Sequence, residues 1–442
     1  MQTAPAVTTE VESTDSAPRW NWLTCVTFRF CFVYFGLYVL VTQMLSALLL
    51  LPVIDVPEIG TLWPLRPIIT WTASHVFRHK EALVTTGSGS GDKTFDWVET
   101  FCLLVIAIIA VAIWSYFDRN RPHYAGLYKW FRLFMRFSLG TTMFSYGFIK
   151  MIPLQMPFPY LSRLIEPFGN FSPMGVLWAS VGASPGYEIC SGCAETLGGI
   201  LLSIPRTATL GALICLADMT QVFVLNMTYD VPVKLFSFQL ILMSLFLLAP
   251  AASRLVDLFL LNRPVAPLNQ YPLFQTRRAN RIALFAQLAV LGYQIVLSIY
   301  QDGQSWKEYG GGAPKSALYG IWNVKELTVD GQPRPLVATD TSQWRRLVFQ
   351  FPQAAAAQTM DDNFLRYAAS IDQDHRALTL TEAKTKDLAA ELNFQRPAPN
   401  QLVLDGTLAG HTVHMSLQLM DDKKFLLLNR GFHWVQEYPL NR

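Results

Sequence analysis

The chain has 442 residues, 51% of them apolar and 13% aromatic but only 15% charged, where soluble domains carry about 25% charged residues. This excludes an ordinary cytosolic enzyme. Asp, Glu, Lys and Arg number 36 in residues 1–300 and 31 in the last 142, so the mean hydropathy of +0.26 averages two solvents, lipid first and water second. Net charge is +4 over the first part and −1 over the second; without a basic stripe, a nucleic-acid partner is excluded.

In chain order, residues 1–20 are rich in Ser, Thr, Ala, Pro and acids and read as a disordered cytoplasmic tail. The apolar stretch that follows is too long for a cleaved leader and long enough to cross a bilayer. Run length predicts seven spans, at about 23–51, 97–117, 131–152, 185–204, 208–226, 231–250 and 280–299, in a transmembrane domain over 21–305. Arg19, the cluster Arg119, Arg121, Lys129 and Arg132, then Arg206, and finally Arg254, Arg263, Arg277, Arg278 and Arg281 share one side if the N-terminus is inside. The positive-inside rule then makes that side cytoplasmic and puts the C-terminal domain outside. The first outer loop carries Trp63, Trp71, His75 and Phe77 and suits an interfacial hairpin. Its Gly87-Ser88-Gly89-Ser90-Gly91-Asp92 run lacks the Gly-Lys-Ser/Thr of a phosphate loop. A Gly-rich linker, 306–316, leads to a β domain over 317–442. There, IWNVKELTV, RRLVFQF, FLRYAASI, ALTLTEA, QLVLDGTLAG, HTVHMSLQLM and KFLLLN read as strands of a small barrel. Gly320-Ile321-Trp322 resembles the G-x-W signature of lipocalin-like barrels, in which the Trp plugs one end; Arg430 and Arg442 are the basic residues available to pack across it.

Chemistry is sought first where ionisable groups sit inside spans, because each costs about 2.5–3.5 kcal/mol on insertion scales and normally faces a cavity or partner. Glu188, Ser191, Gly192, Glu195 and Gly199 recur at helical spacing on the fourth span, and Arg132, Arg136, Gly140, Met143, Gly147 and Lys150 on the third; Arg29, Gly36 and Gln43 form a third stripe. Rise per residue puts Glu195 and Asp218 near the midplane with Arg136 about a turn away, so a Glu195, Arg136 and Asp218 charge network is expected, either pinning helices or lining a pathway. Cys190-Ser191-Gly192-Cys193 is open to three readings: an incidental pair, a redox-exchange pair or metal ligands. The stretch Asn226, Tyr229, Asp230, Pro232 and Lys234 reads either as a helix start or, with Lys150, Glu188 and Asp92, as the rim of an outer ligand pocket. His75 with His79 and His411 with His414 lack the partners of a metal site, and no metal is expected.

From Phe137 to Arg263 the chain resembles the DoxX-like group of polytopic membrane proteins. Tyr146-Gly147 with Lys150, Glu188, Glu195 with Gly198-Gly199, Arg206-Thr207, and Asn226 with Tyr229-Asp230 through Lys234 carry the resemblance. It implies a four-helix membrane core in a bacterial inner membrane. Relatives of that group include a subunit of thiosulfate:quinone oxidoreductase. The expectation is an all-α membrane bundle followed by a periplasmic lipocalin-like barrel. The bundle would hold a quinone or another lipophilic ligand, with Glu195, Arg136 and Asp218 carrying charge, Cys190 and Cys193 a redox pair, and a membrane redox partner. The alternative is a non-enzymatic assembly, transport or lipid-binding component whose β domain binds the ligand.

Overall fold

The computed structural model describes residues 19–52, 56–85, 91–266 and 272–441; most of the N-terminal tail, the Gly-Ser run at 86–90 and Arg442 lie outside them. The chain divides into two compact units, the first built from residues up to 149 and from 190–300, the second from 150–189 and 301–442.

The first unit is helical. Helix α1 (Trp22–Val41) starts where the Asn21 side chain accepts from the Thr24 amide at 2.7 Å. It ends sooner than run length predicts, because Thr42 leaves the helix with extended backbone while its hydroxyl bonds back to Tyr38 O. The expected span to residue 51 is therefore broken, and α2 (Met44–Leu49) resumes it. The first loop forms α3 (Leu65–His75). Helix α4 (Thr94–Phe117) opens on Asp96, whose carboxylate accepts from the Lys93 amide at 2.9 Å. There follow α5 (Ala125–Met151), then in the second unit α6 (Leu161–Ile165) and α7 (Pro173–Gly182), then α8 (Pro185–Ser203), α9 (Ala208–Thr228) and α10 (Lys234–Leu248). A tight turn through Pro250 joins α10 to α11 (Ala252–Phe259), and α12 (Arg277–Glu308) closes the set.

Among the described residues, five helices, Trp22–Val41, Thr94–Phe117, Ala208–Thr228, Lys234–Phe259 and Arg277–Glu308, are long and apolar enough to cross a membrane. At 1.5 Å per residue each reaches about 30 Å, the thickness of a hydrocarbon core. The other two expected spans are also helices, α5 and α8, and carry the polar stripes read from the sequence.

Those stripes meet. A Cβ on Gly199 would lie 2.7 Å from Gly140 O, and one on Gly147 would lie 2.3 Å from Thr196 Oγ1. Only glycine permits so close an approach, the arrangement that packs helices where lipid offers no hydrophobic drive. On the other side of α8, a Cβ at Gly198 would meet Cys215 Sγ at 2.8 Å, which seats α9.

The second unit holds a barrel of strands β1 (Gly320–Val329), β2 (Gln332–Pro333), β3 (Trp344–Phe349), β4 (Ala354–Thr359), β5 (Phe364–Asp372), β6 (Ala377–Glu382), β7 (Leu388–Gln395), β8 (Gln401–Leu408) and β9 (His411–Leu419). Neighbours in sequence pair antiparallel, β3 skips the two-residue β2 to join β1, and β9 returns to β1 with Trp322 opposite Leu419. Closure leaves no long unpaired edge, and eight strands enclose a space that side chains just fill. Trp322, Leu347, Phe349, Leu378, Leu380, Leu402 and Leu404 occupy it.

Three expectations are corrected here. KFLLLN is not a strand: Leu426–Asn429 is a short helix, α13. Strands β4 and β7 were not expected, because AAAAQT and LAAELNFQ are poor in β-branched residues and gain their place from neighbouring strands. The guanidinium over the buried Trp322 ring, 5.5 Å from its centroid, belongs to Arg396 just past β7; Arg430 instead donates to Gln436, and Arg442 lies outside the described residues. Trp322 Nε1 donates to Leu318 O at 2.8 Å, so the plug is hydrogen-bonded as well as packed.

Residues 150–189 are integral to the second unit. Leu161 packs with Ile321 and Val348 on the outside of the barrel wall, the Leu161 amide donates to Gln350 Oε1 at 2.8 Å, and Gln358 Nε2 donates to Ile165 O.

Candidate functional site

The polar groups expected to act together fall into three places. In the first unit Glu195 is buried at the α5 and α8 seam, and the carboxyls of both Glu195 and Asp218 lie within electrostatic range of the Cys215 thiol. Arg136 donates through Nε to Leu202 O at 2.6 Å and through Nη2 to Ser203 O at 2.9 Å. These are end carbonyls of α8, with no partner one turn further on within that helix, and a cation there also suits the helix dipole. Arg136 thus ties α5 to the end of α8.

Asp92, Asn226, Asp230 and Lys234 do converge, around the start of α10. Asp92 accepts from the amides of Lys234 at 2.9 Å and Leu235 at 2.8 Å, so one carboxylate serves two amides left open at the helix start. Lys234 Nζ is 3.0 Å from Asp230 and 3.7 Å from Asp92. Asn226 donates to Val233 O and Ser237 Oγ, and Tyr229 caps α9. This is a capping cluster that fixes the α9 to α10 turn. Lys150 and Glu188 belong to the second unit, where both are buried and Glu188 Oε1 accepts from the Met156 amide at 2.8 Å.

Cys190 and Cys193 are both free and exposed, on the side of α8 away from buried Glu188, Gly192 and Glu195. They lie past the first turn of α8, beyond its unpaired amides.

The second unit contains a pocket that sequence reasoning missed. It encloses about 310 Å³ between the Pro153–Tyr160 turn, the end of α12, the Gly-rich linker and the rim of the barrel. Tyr160 meets Phe351 edge-on at 5.7 Å, Trp306 forms a wall with Gly311 and Gly312 wrapped against its ring, and Lys315 Nζ sits 4.4 Å from the Tyr319 centroid. Asp422 supplies the opposite charge on the lining. Burial pushes the Tyr160 hydroxyl up from its ordinary value, so it stays a neutral donor near pH 7. Three prolines and two aromatics within PLQMPFPYL were the available signal, a rigid apolar turn between two helices. Rings, a lone cation and a lone anion in a space of this size suit a small, largely apolar ligand with a polar end.

A helical part with five helices able to cross a bilayer, followed by a closed antiparallel barrel, defines a membrane protein with an appended β domain. Over 127 residues the chain is 32% identical to "Uncharacterized protein YwoB" of Bacillus subtilis (strain 168), covering 27% of this chain and 72% of that protein. The chain belongs to the family of that protein. No family model matches the chain, and no solved structure matches it.

Proposed function

We propose that this is a bacterial inner-membrane protein of the DoxX-like group, with its barrel on the periplasmic side, that binds a quinone-like or other small lipophilic molecule in the Tyr160 and Trp306 pocket. The observation that carries the reading is that pocket, with the rings of Phe158, Tyr160, Trp306, Tyr319 and Phe351 on its lining to stack a planar ring and Lys315 to meet a carbonyl or acidic head. Its volume falls within the range of about 300–1,000 Å³ found for small-molecule sites. The filled barrel core favours a ligand site outside the barrel. Because the lining residues all belong to the β unit, the reading leans toward a binding component; exposed Cys190 and Cys193 remain available to a membrane redox partner.

The test is titration of the full-length protein in nanodiscs with a short-chain benzoquinone, following quenching of tryptophan fluorescence. The expected result is saturable quenching whose midpoint rises about tenfold, or 1.4 kcal/mol, in Tyr160→Ala, and whose amplitude falls in Trp306→Phe. Unchanged midpoints in both variants would exclude this pocket. If Glu195→Gln alone abolished binding, the site would lie in the helical unit instead.

A further inference from the structure

A second cavity, in the first unit, has different chemistry. Glu99, five residues past the start of α4, is 4% exposed, and its Oε1 has no hydrogen-bond partner. It faces a space of about 30 Å³ that Glu58, Asp96, Tyr38, Thr42 and Thr100 also line, so every one of these side chains offers oxygen. The backbone makes room for the carboxyl: a Cβ on Gly60 would lie 1.5 Å from Glu99 Oε1.

The charges facing this space do not balance. From α4 come Glu99 and Asp96, and from the turn before it Lys93, whose Nζ is 3.8 Å from Asp96. The segment ahead of α3 brings Glu58 and α1 brings Tyr38, while α10 presents Leu235 and Phe236. Asp92 is engaged by the α10 amides and by Lys234. Lys93 pairs with Asp96 and reaches Glu99 only through longer-range attraction, so one cation stands against the three carboxylates Glu58, Asp96 and Glu99. An isolated buried carboxylate costs many kcal/mol, so such a group is neutralised by a proton or a bound cation. A space of 30 Å³ holds one or two water-sized occupants. Among the described residues no three His, Cys, Asp or Glu are grouped to hold a metal ion, which argues against a divalent cage.

We propose that this cavity is a monovalent-cation site in which a proton or a sodium ion neutralises Glu99. The shared chemistry is a single positive charge held by oxygen, and the two occupants compete. The site belongs to the first unit and the aromatic pocket to the second, so failure of one leaves the other untouched.

The experiment is pH-difference infrared spectroscopy of the full-length protein in lipid membranes, in sodium and in choline buffers. In choline, the wild type should show a protonated-carboxyl C=O band that disappears as pH rises and is absent from Glu99→Gln. If sodium binds, its midpoint should fall by about one pH unit per tenfold rise in sodium, as competition between two ligands requires. A midpoint independent of sodium assigns the site to the proton alone. In Gly60→Ala, which fills the carboxyl's space, the band should shift or vanish. A spectrum identical in wild type, Glu99→Gln and Gly60→Ala overturns the proposal.

Discussion

In the helical unit Arg29, Glu99, Arg136, Glu195 and Gln239 are all under 10% exposed, whereas among the described residues of the barrel strands no charged side chain is buried. Each helix satisfies its own backbone, so two helices need only fit, and a polar side chain can stand between them if it finds a partner. Arg29 does so completely, donating to Tyr124, Ser115 and the Asp118 carbonyl. The barrel satisfies its backbone by closing the ladder, and its interior belongs to Trp322, Leu347 and their neighbours. One unit therefore keeps chemistry inside; the other presents it on its outer surface.

This contrast is most severely tested at Trp322. Trp322→Ala should cost about 3–5 kcal/mol, seen as lost hydrogen-exchange protection in β1, β3 and β9 of the full-length protein at lower denaturant. The helices should keep theirs; loss of both at one midpoint would mean a single shared core. A smaller effect is expected at the helix seam. Gly199→Ala forces a methyl toward Gly140 O and should lower stability in detergent by about 1–3 kcal/mol, read as an earlier thermal transition. Gly292→Ala on α12, where nothing lies within 4 Å, is the control and should not move it.

The smallest effect concerns acid. The carboxyl of Asp330 is held below the ordinary range chiefly by hydrogen bonding with His411, and that of Asp372 by the His375 amide and then its ring. A carboxyl with a lowered folded pKa stabilises above its unfolded value of about 3.9 and loses that contribution as pH falls through the folded value. Exchange protection at the β1 and β5 ends should therefore weaken below about pH 4, and the paired variant Asp330→Asn with Asp372→Asn should flatten that dependence. A slope unaltered in the variant would assign the acid response to other groups.

The sequence made the helices legible because apolar run length is a coarse and strong signal, and it also made the α5 and α8 seam legible because glycine and polar residues kept helical spacing. The charge roles were less readable. Spacing put Arg136 near Glu195, but in the fold its guanidinium reaches the carbonyls at the end of α8. Glu99 obeys the same rule that marks Glu195, a carboxylate inside an apolar run, yet no matching stripe of small or polar residues on another span points to it. The aromatic pocket was unreadable because Tyr160, Trp306 and Phe351 are far apart in the chain and meet only when the barrel forms. Strand β4 was hidden because four consecutive alanines carry no alternation of their own.

Residues 150–189 contact a barrel whose first strand begins at Gly320, and the bond from the Leu161 amide reaches a residue 189 positions later. During synthesis that stretch is made long before its partner exists. With elongation at about 5–20 residues per second, Leu161 waits roughly 10–40 s before Gln350 is added. Through that interval Leu161, Leu164 and Ile165 have no barrel wall to cover them. A ribosome stalled between α12 and β1 would hold a nascent chain with this apolar turn uncovered, a natural place for a chaperone or the membrane surface to intervene.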